Sequence, residues 1–299
     1  MELKVHLFPF GDDSLELIAS LIPESKREII SARWSVALDD PVLGEILHAG
    51  EATDGFWISA EARLSVSELQ ELSHFEIVCR KIIPASDKDY EANEAACEQA
   101  SLLDKSGFSP IRLPSGFTLT RIQLKPNMVG AIGGQAGEYL IGTAVADVFT
   151  SHKFSGFSLV PINNPRSEAP HEGYFQIFSD SVLKPAETDC SIECIHSEHP
   201  EEVGKLRHLG CLSYRESNMA EATDFSRTAE PWESWMGSPS WVVSSRVVNT
   251  FRESKLRGWA FRPVFVKESE LYTSYLNHWT QLDELTTQFS RSMFDGGRW

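Results

Sequence analysis

The sequence predicts an α+β protein with mixed sheets and two similar strand–helix–strand units in its carboxy-terminal region. Three observations carry that prediction. The first is an internal repeat: residues 145–162 read VADVFTSHKFSGFSLVPI and residues 247–264 read VVNTFRESKLRGWAFRPV, a constant spacing of 102 residues. The second is the alternation of short β-branched or aromatic runs with stretches of helical periodicity. The third is composition: 299 residues with 41% apolar and 23% charged side chains are enough for one large or two medium cores and exclude a disordered chain.

Taken in order, KVHLFPF (4–10) and GFWIS (55–59) read as strands. Ser65 precedes Glu68 at capping-box spacing, so SVSELQELSHF (65–75) opens a helix. FEIVCRKII (75–83) is a strand by its β-branched content, ended by Pro84, and DKDYEANEAACEQA (87–100) is a surface helix. FTLTRIQL (117–124) reads as another strand, and the loop before it places a boundary that divides the chain into 1–110 and 111–299. The glycines of GAIGGQAGEY (130–139) feed a strand, whereas a dinucleotide loop needs a helix opening directly from it. They read as a turn.

The repeat extends upstream, where Tyr139, Leu140 and Ile141 align with Trp241, Val242 and Val243 as a short strand in each copy. Thr143 and Ser245, or Ser244 beside it, offer a hydroxyl to cap the helix that follows. Val145 with Phe149, and Val247 with Phe251, share one helical face. Lys153 and Lys255 fall at the helix ends, where the macrodipole favours a cation. Gly156 and Gly258 follow at the exits, and second strands run through Phe157, Leu159 and Pro161 or Trp259, Phe261 and Pro263. If the two strands of a unit lie parallel in one sheet, their crossover is right-handed. Between the copies EGYFQIFSDSVL (172–183) is a strand; after them Leu271, Tyr275, Trp279, Leu282 and Leu285 form an apolar helical stripe suited to core packing.

Charge bounds function. Lys and Arg number 27 against 43 Asp and Glu, a formal charge of -16 that repels phosphate backbones, so no direct nucleic-acid partner is expected. No run approaches the length of a membrane span, MELKVHLFPFGDDS reads as a first strand and not a signal peptide, and five sparse cysteines suit reduced thiols. A cytoplasmic location is expected.

Two clusters stand out. Cys190, Cys194, His208 and Cys211 carry the thiolate and imidazole chemistry of a tetrahedral zinc site, with His196 and His199 as alternative ligands. Cys-x3-Cys departs from the usual two-residue knuckle, and buried free thiols explain the same residues. Zinc is the one cofactor the sequence raises. Trp232, Trp235 and Trp241 fall between Pro and Gly punctuation and are candidate partner-binding anchors, or else a loop folded over the core. No Gly-x-Ser-x-Gly elbow or His-Glu-x-x-His helix occurs, so no catalytic residue is nominated.

WVVSSRVVNTFRESKLRGWAFRPV resembles the carboxy-terminal signature of bacterial immunity protein families of polymorphic toxin systems: the double Cys-x-x-Cys-Gly group and a related immunity group of unknown domain function. The matching positions are Val243-Ser244, the helix around Val247 and Phe251, Gly258, Trp259 and Pro263-Val264, within a region of about residues 135–266. GYFQIFSDSVLKPAETDCSIEC is similar to the approach to the first cysteine pair, although Cys190-x3-Cys194 and His208-x-x-Cys211 depart from the group's motif. The resemblance implies a cytoplasmic protein that blocks a toxin by covering it, without catalysis. Two alternatives stay open: a hydrolase or transferase with scattered active-site residues, and a zinc-stabilised structural module.

Overall fold

The fold is described by a computed structural model over residues 1–9, 16, 18–22, 34–50, 56–89, 91–93, 116–132, 138–167, 169–186, 192–194, 206–208, 210–231 and 239–287. It is α+β with mixed sheets. Strands β1 (Glu2–Pro9), β2 (Trp34–Ala37) and β3 (Phe56–Arg63) pair antiparallel in the order β2-β1-β3, with helix α1 (Pro41–Gly50) following β2. Helix α2 (Val66–Glu71) opens on a capping box: Ser65 Oγ accepts the Glu68 N–H at 3.3 Å and the Glu68 carboxylate accepts the Ser65 N–H at 2.7 Å.

FEIVCRKII forms two strands, β4 (His74–Cys79) and β5 (Ile82–Ile83), and each enters a different five-stranded sheet. The first copy of the repeat contributes β6 (Val129–Ile132), β7 (Tyr139–Gly142), α3 (Thr143–Ser151), β8 (Ser158–Pro161) and β9 (Tyr174–Phe178), ordered β5-β6-β7-β9-β8. A separate pair, β10 (Ile192–Cys194) and β11 (Leu206–His208), follows. The remaining elements are β12 (Ser213–Tyr214), α4 (Glu216–Ala220), β13 (Phe225–Pro231), β14 (Pro239–Ser244), α5 (Ser245–Glu253), β15 (Trp259–Val266) and α6 (Glu270–Thr287); the second sheet runs β12-β15-β4-β14-β13.

β7 and β8 both pair antiparallel with β9 between them, so they run parallel to each other; β14 and β15 stand in the same relation around β4. Each helix thus connects two parallel strands split by an antiparallel one. In the first copy the middle strand comes next in the chain. In the second it is β4, from far upstream. Sheet pairing therefore does not follow a division at residue 110, because β4 sits in the centre of the carboxy-terminal sheet.

The two copies pack on each other reciprocally. Lys153 and Lys255 take the left-handed conformation at φ 51° and 54°, ending the helices, and Gly156 and Gly258 turn the chain again at φ 79° and 106°. Val129 N–H of the first copy donates to Arg257 O at 2.8 Å, and Phe225 N–H of the second donates to Ser155 O at 3.1 Å. A Cβ on Gly258 would lie 1.9 Å from Val129 O, and one on Gly156 would lie 2.3 Å from Phe225 O. Each turn is seated against the backbone that starts the other copy's hairpin. Between them Phe149 meets Phe225 at 5.1 Å and Trp259 at 5.9 Å, and Tyr139 meets Trp241 at 5.8 Å.

Helix caps differ between the copies. Ser244 caps α5, accepting the Val247 N–H at 3.4 Å, whereas α3 starts at Gly142 with no side-chain cap. There the Pro126 carbonyl takes the Val145 N–H at 3.4 Å, an approach that a Cβ on residue 142, 2.5 Å from that oxygen, would block. Neither Thr143 nor Ser245 is the cap.

FTLTRIQL departs from the strand expected of it, making one isolated bridge, Thr118 to Asn163. Side chains take its backbone groups instead: Asn93 accepts the Thr118 N–H at 2.7 Å and donates to Thr118 O at 2.8 Å, while Asp89 accepts the Thr120 N–H at 2.8 Å. The stripe on α6 packs into the central core through buried Tyr275, Trp279 and Leu282, with Tyr275 stacked on Phe265 at 4.5 Å. Among the described residues no helix is long and apolar enough to cross a membrane.

Gly156→Ala and Gly258→Ala should each lower unfolding free energy by more than about 2 kcal/mol, since positive φ and backbone collision coincide. Gly44→Ala, in α1 with nothing within 4 Å of the added carbon, should be neutral or stabilising. Urea denaturation of the three variants measures the contrast.

Candidate functional site

The residues nominated from sequence do not assemble into one site. Trp232, Trp235 and Cys190 lie outside the described residues. Trp241 corrects the expectation of an exposed anchor: it is 0% exposed in the middle of β14, because its strand is central to the repeat's packing. Arg227 lies over its ring at 4.7 Å. Cys194 and His208 fall on β10 and β11, where Cys194 faces Leu206 and His208 faces Ile192 in the register. Cys211 belongs to the core; its N–H donates to the Tyr275 hydroxyl at 2.7 Å, and burial pushes its thiol up to about 12. Among the described residues no group of three His, Cys, Asp or Glu is placed to hold a metal.

The structure instead brings together charged residues that composition concealed. Glu138, just before β7, accepts from Gln176 on β9 at 2.9 Å and from Arg227 on β13 at 3.4 Å, all three buried. Arg227 also donates to Pro239 O at 3.3 Å. Burial pushes the Glu138 carboxyl up, and the Arg227 charge and both hydrogen bonds pull against it. In the second copy Glu76 on β4 accepts from Ser240 at 2.9 Å and lies 3.8 Å from Arg262. The two arrangements are related by the repeat: Gln176 opposes Leu140 as Glu76 opposes Val242.

Asp224 fastens the copies at another point. Its carboxylate accepts from the Ser155 N–H at 2.9 Å and the Ser155 hydroxyl at 3.0 Å in the first copy's turn. From the second copy it accepts the Ser244 hydroxyl at 2.7 Å and Arg246 at 3.2 Å. Arg246 also donates to His152 O and covers the Phe154 ring at 4.6 Å. Burial disfavours the Asp224 charge, and these donors outweigh it, holding the carboxyl below the usual carboxylate range.

A third cluster lies on the sheet of β1, β2 and β3. His6 is 3% exposed, with Nδ1 2.7 Å from Ser35 Oγ and Nε2 3.2 Å from a Glu61 carboxylate oxygen. In such a set the imidazole can take the hydroxyl's proton while the carboxylate holds the ring in place. Sequence reasoning passed over it because the three residues are scattered; the signal was His6 itself, a polar residue alternating with Leu3, Val5 and Leu7. No protein-family model matches the chain, and no curated protein matches it in sequence.

Glu138→Ala would leave the Arg227 guanidinium buried without its counter-charge and should cost about 3–5 kcal/mol in urea denaturation, with Glu138→Gln costing less. Asp224 titrates lower when folded than unfolded, where its pKa is about 3.9, so its contribution is complete above that value and is lost as pH falls through the folded one. Thermal melts should show wild type losing stability on acidification from about pH 5 to about pH 3, and Asp224→Asn losing less over that window.

Proposed function

We propose that this chain is a cytoplasmic protein-binding module, immunity-like, that acts by covering a basic protein partner. The observation that carries the reading is the net charge of -16, from 43 Asp and Glu against 27 Lys and Arg; the buried Arg227–Glu138 pair cancels internally and leaves that acidic excess unchanged. An acidic surface accelerates encounter with a basic partner and repels nucleic acid. The buried carboxylates of Glu76, Asp89, Glu138 and Asp224 are each held by hydrogen bonds within the fold, which suits a scaffold more than a reaction centre. The resemblance of residues 135–266 points to a toxin as the partner, and the net charge of -16 to a basic one such as a nuclease.

The purified chain, used as bait in lysate of its native cells, should retain one basic protein at equal stoichiometry at about 50 mM salt. The association rate of the isolated pair should fall at least about tenfold by about 500 mM salt. A stoichiometric partner that is itself acidic, or whose association is indifferent to salt, would overturn the electrostatic mechanism.

A further inference from the structure

On β1 the side chains of Leu3, Val5 and Leu7 enter the core, so Lys4 and His6 lie on the opposite face of the sheet. Ser35 on β2 stands directly across from His6, and Glu61 on β3 lies two residues beyond Ser59, the residue across from His6 on that side. Three strands therefore deliver a hydroxyl, an imidazole and a carboxylate to one face in the order Ser35–His6–Glu61. The ring spans them at 2.7 Å and 3.2 Å, within proton-transfer reach at both ends. His6 is nearly closed off from solvent, Ser35 is partly exposed and the Glu61 side chain is 57% exposed. His6 is thus held between two polar groups and sheltered, beside a serine that is itself only partly buried.

We propose that Ser35, His6 and Glu61 form a nucleophile, a general base and a positioning carboxylate for the hydrolysis of a small carboxylic ester. The proposal goes beyond partner binding and is independent of it. Glu61 accepting the Nε2 proton selects the tautomer whose Nδ1 lone pair faces the Ser35 hydroxyl. Ser35 Oγ then attacks the ester carbonyl carbon as its proton passes to His6 Nδ1. The tetrahedral adduct collapses by breaking the carbon–alkoxy bond, and the alcohol leaves with the proton from His6. A water molecule, giving a proton to His6, attacks the acyl-Ser35 ester. The carboxylic acid departs, and His6 returns the proton to Ser35 Oγ.

The full chain is assayed with p-nitrophenyl acetate and, separately, with a fluorophosphonate probe whose adduct is located by peptide mass spectrometry. Saturable release of p-nitrophenolate and a single adduct on Ser35 are expected. Ser35→Ala, which removes one hydroxyl from a partly exposed position, should abolish both while keeping the wild-type circular dichroism spectrum. His6→Gln should lower kcat by about 10²–10⁴-fold. Glu61→Gln should lower kcat with KM unchanged, as expected of a group that orients the base without touching substrate. An adduct absent from Ser35 in the folded protein, or Ser35→Ala hydrolysing the ester as fast as wild type, overturns the proposal. Should His6→Gln fail to fold, the labelled position and Ser35→Ala decide alone.

Discussion

Two glycine turns, each pressed against the other copy's backbone, set the geometry on which the rest of the structure depends. At Gly156 and Gly258 the chain passes so close to Phe225 and Val129 that no Cβ fits, and this closeness permits the paired bonds Phe225 to Ser155 and Val129 to Arg257. Once the turns are seated, Phe149, Phe225, Tyr139, Trp241 and Trp259 fill the space between the copies in tilted, stacked and edge-on contacts. The backbone approach supplies the register, and the burial of large rings supplies most of the stabilisation.

The polar groups follow the same symmetry with different chemistry. Glu138 stands where the second copy has Ser240, Gln176 where it has Glu76, and Arg227 where the first copy has Ala131. One backbone plan thus carries a buried carboxylate on the hairpin side in one copy and on the middle strand in the other. Asp224 adds a link between the first copy's turn and the amino-terminal end of α5. Buried charges of this kind make mispacked alternatives costly, since a slipped register would leave one of them unpaired.

These internal commitments frame the function. Glu138, Arg227 and Asp224 are used inside the fold to join the copies, and the sequence as a whole carries a formal charge of -16. The proposed binding role rests on that acidic excess. The cluster of Ser35, His6 and Glu61 belongs to a different part of the molecule, on a sheet outside the repeat, so the hydrolysis proposed for it does not depend on the proposed binding.

By itself the sequence determined the local elements. Spacing alone announced the capping box at Ser65 and Glu68, the stripe on α6, and the repeated order of strand, helix, turn and strand, because each depends on residues within a turn or two of one another. It also marked Gly156 and Gly258 as turning points, though not what they turn against. Only the tertiary structure decided that β4 enters the second copy's sheet, that Trp241 is interior, that FTLTRIQL yields its backbone groups to Asn93 and Asp89, and that His6, Ser35 and Glu61 meet. Periodicity records which face of an element is apolar, whereas the partner of that face is chosen by packing across long loops, which leaves no fixed spacing in the chain.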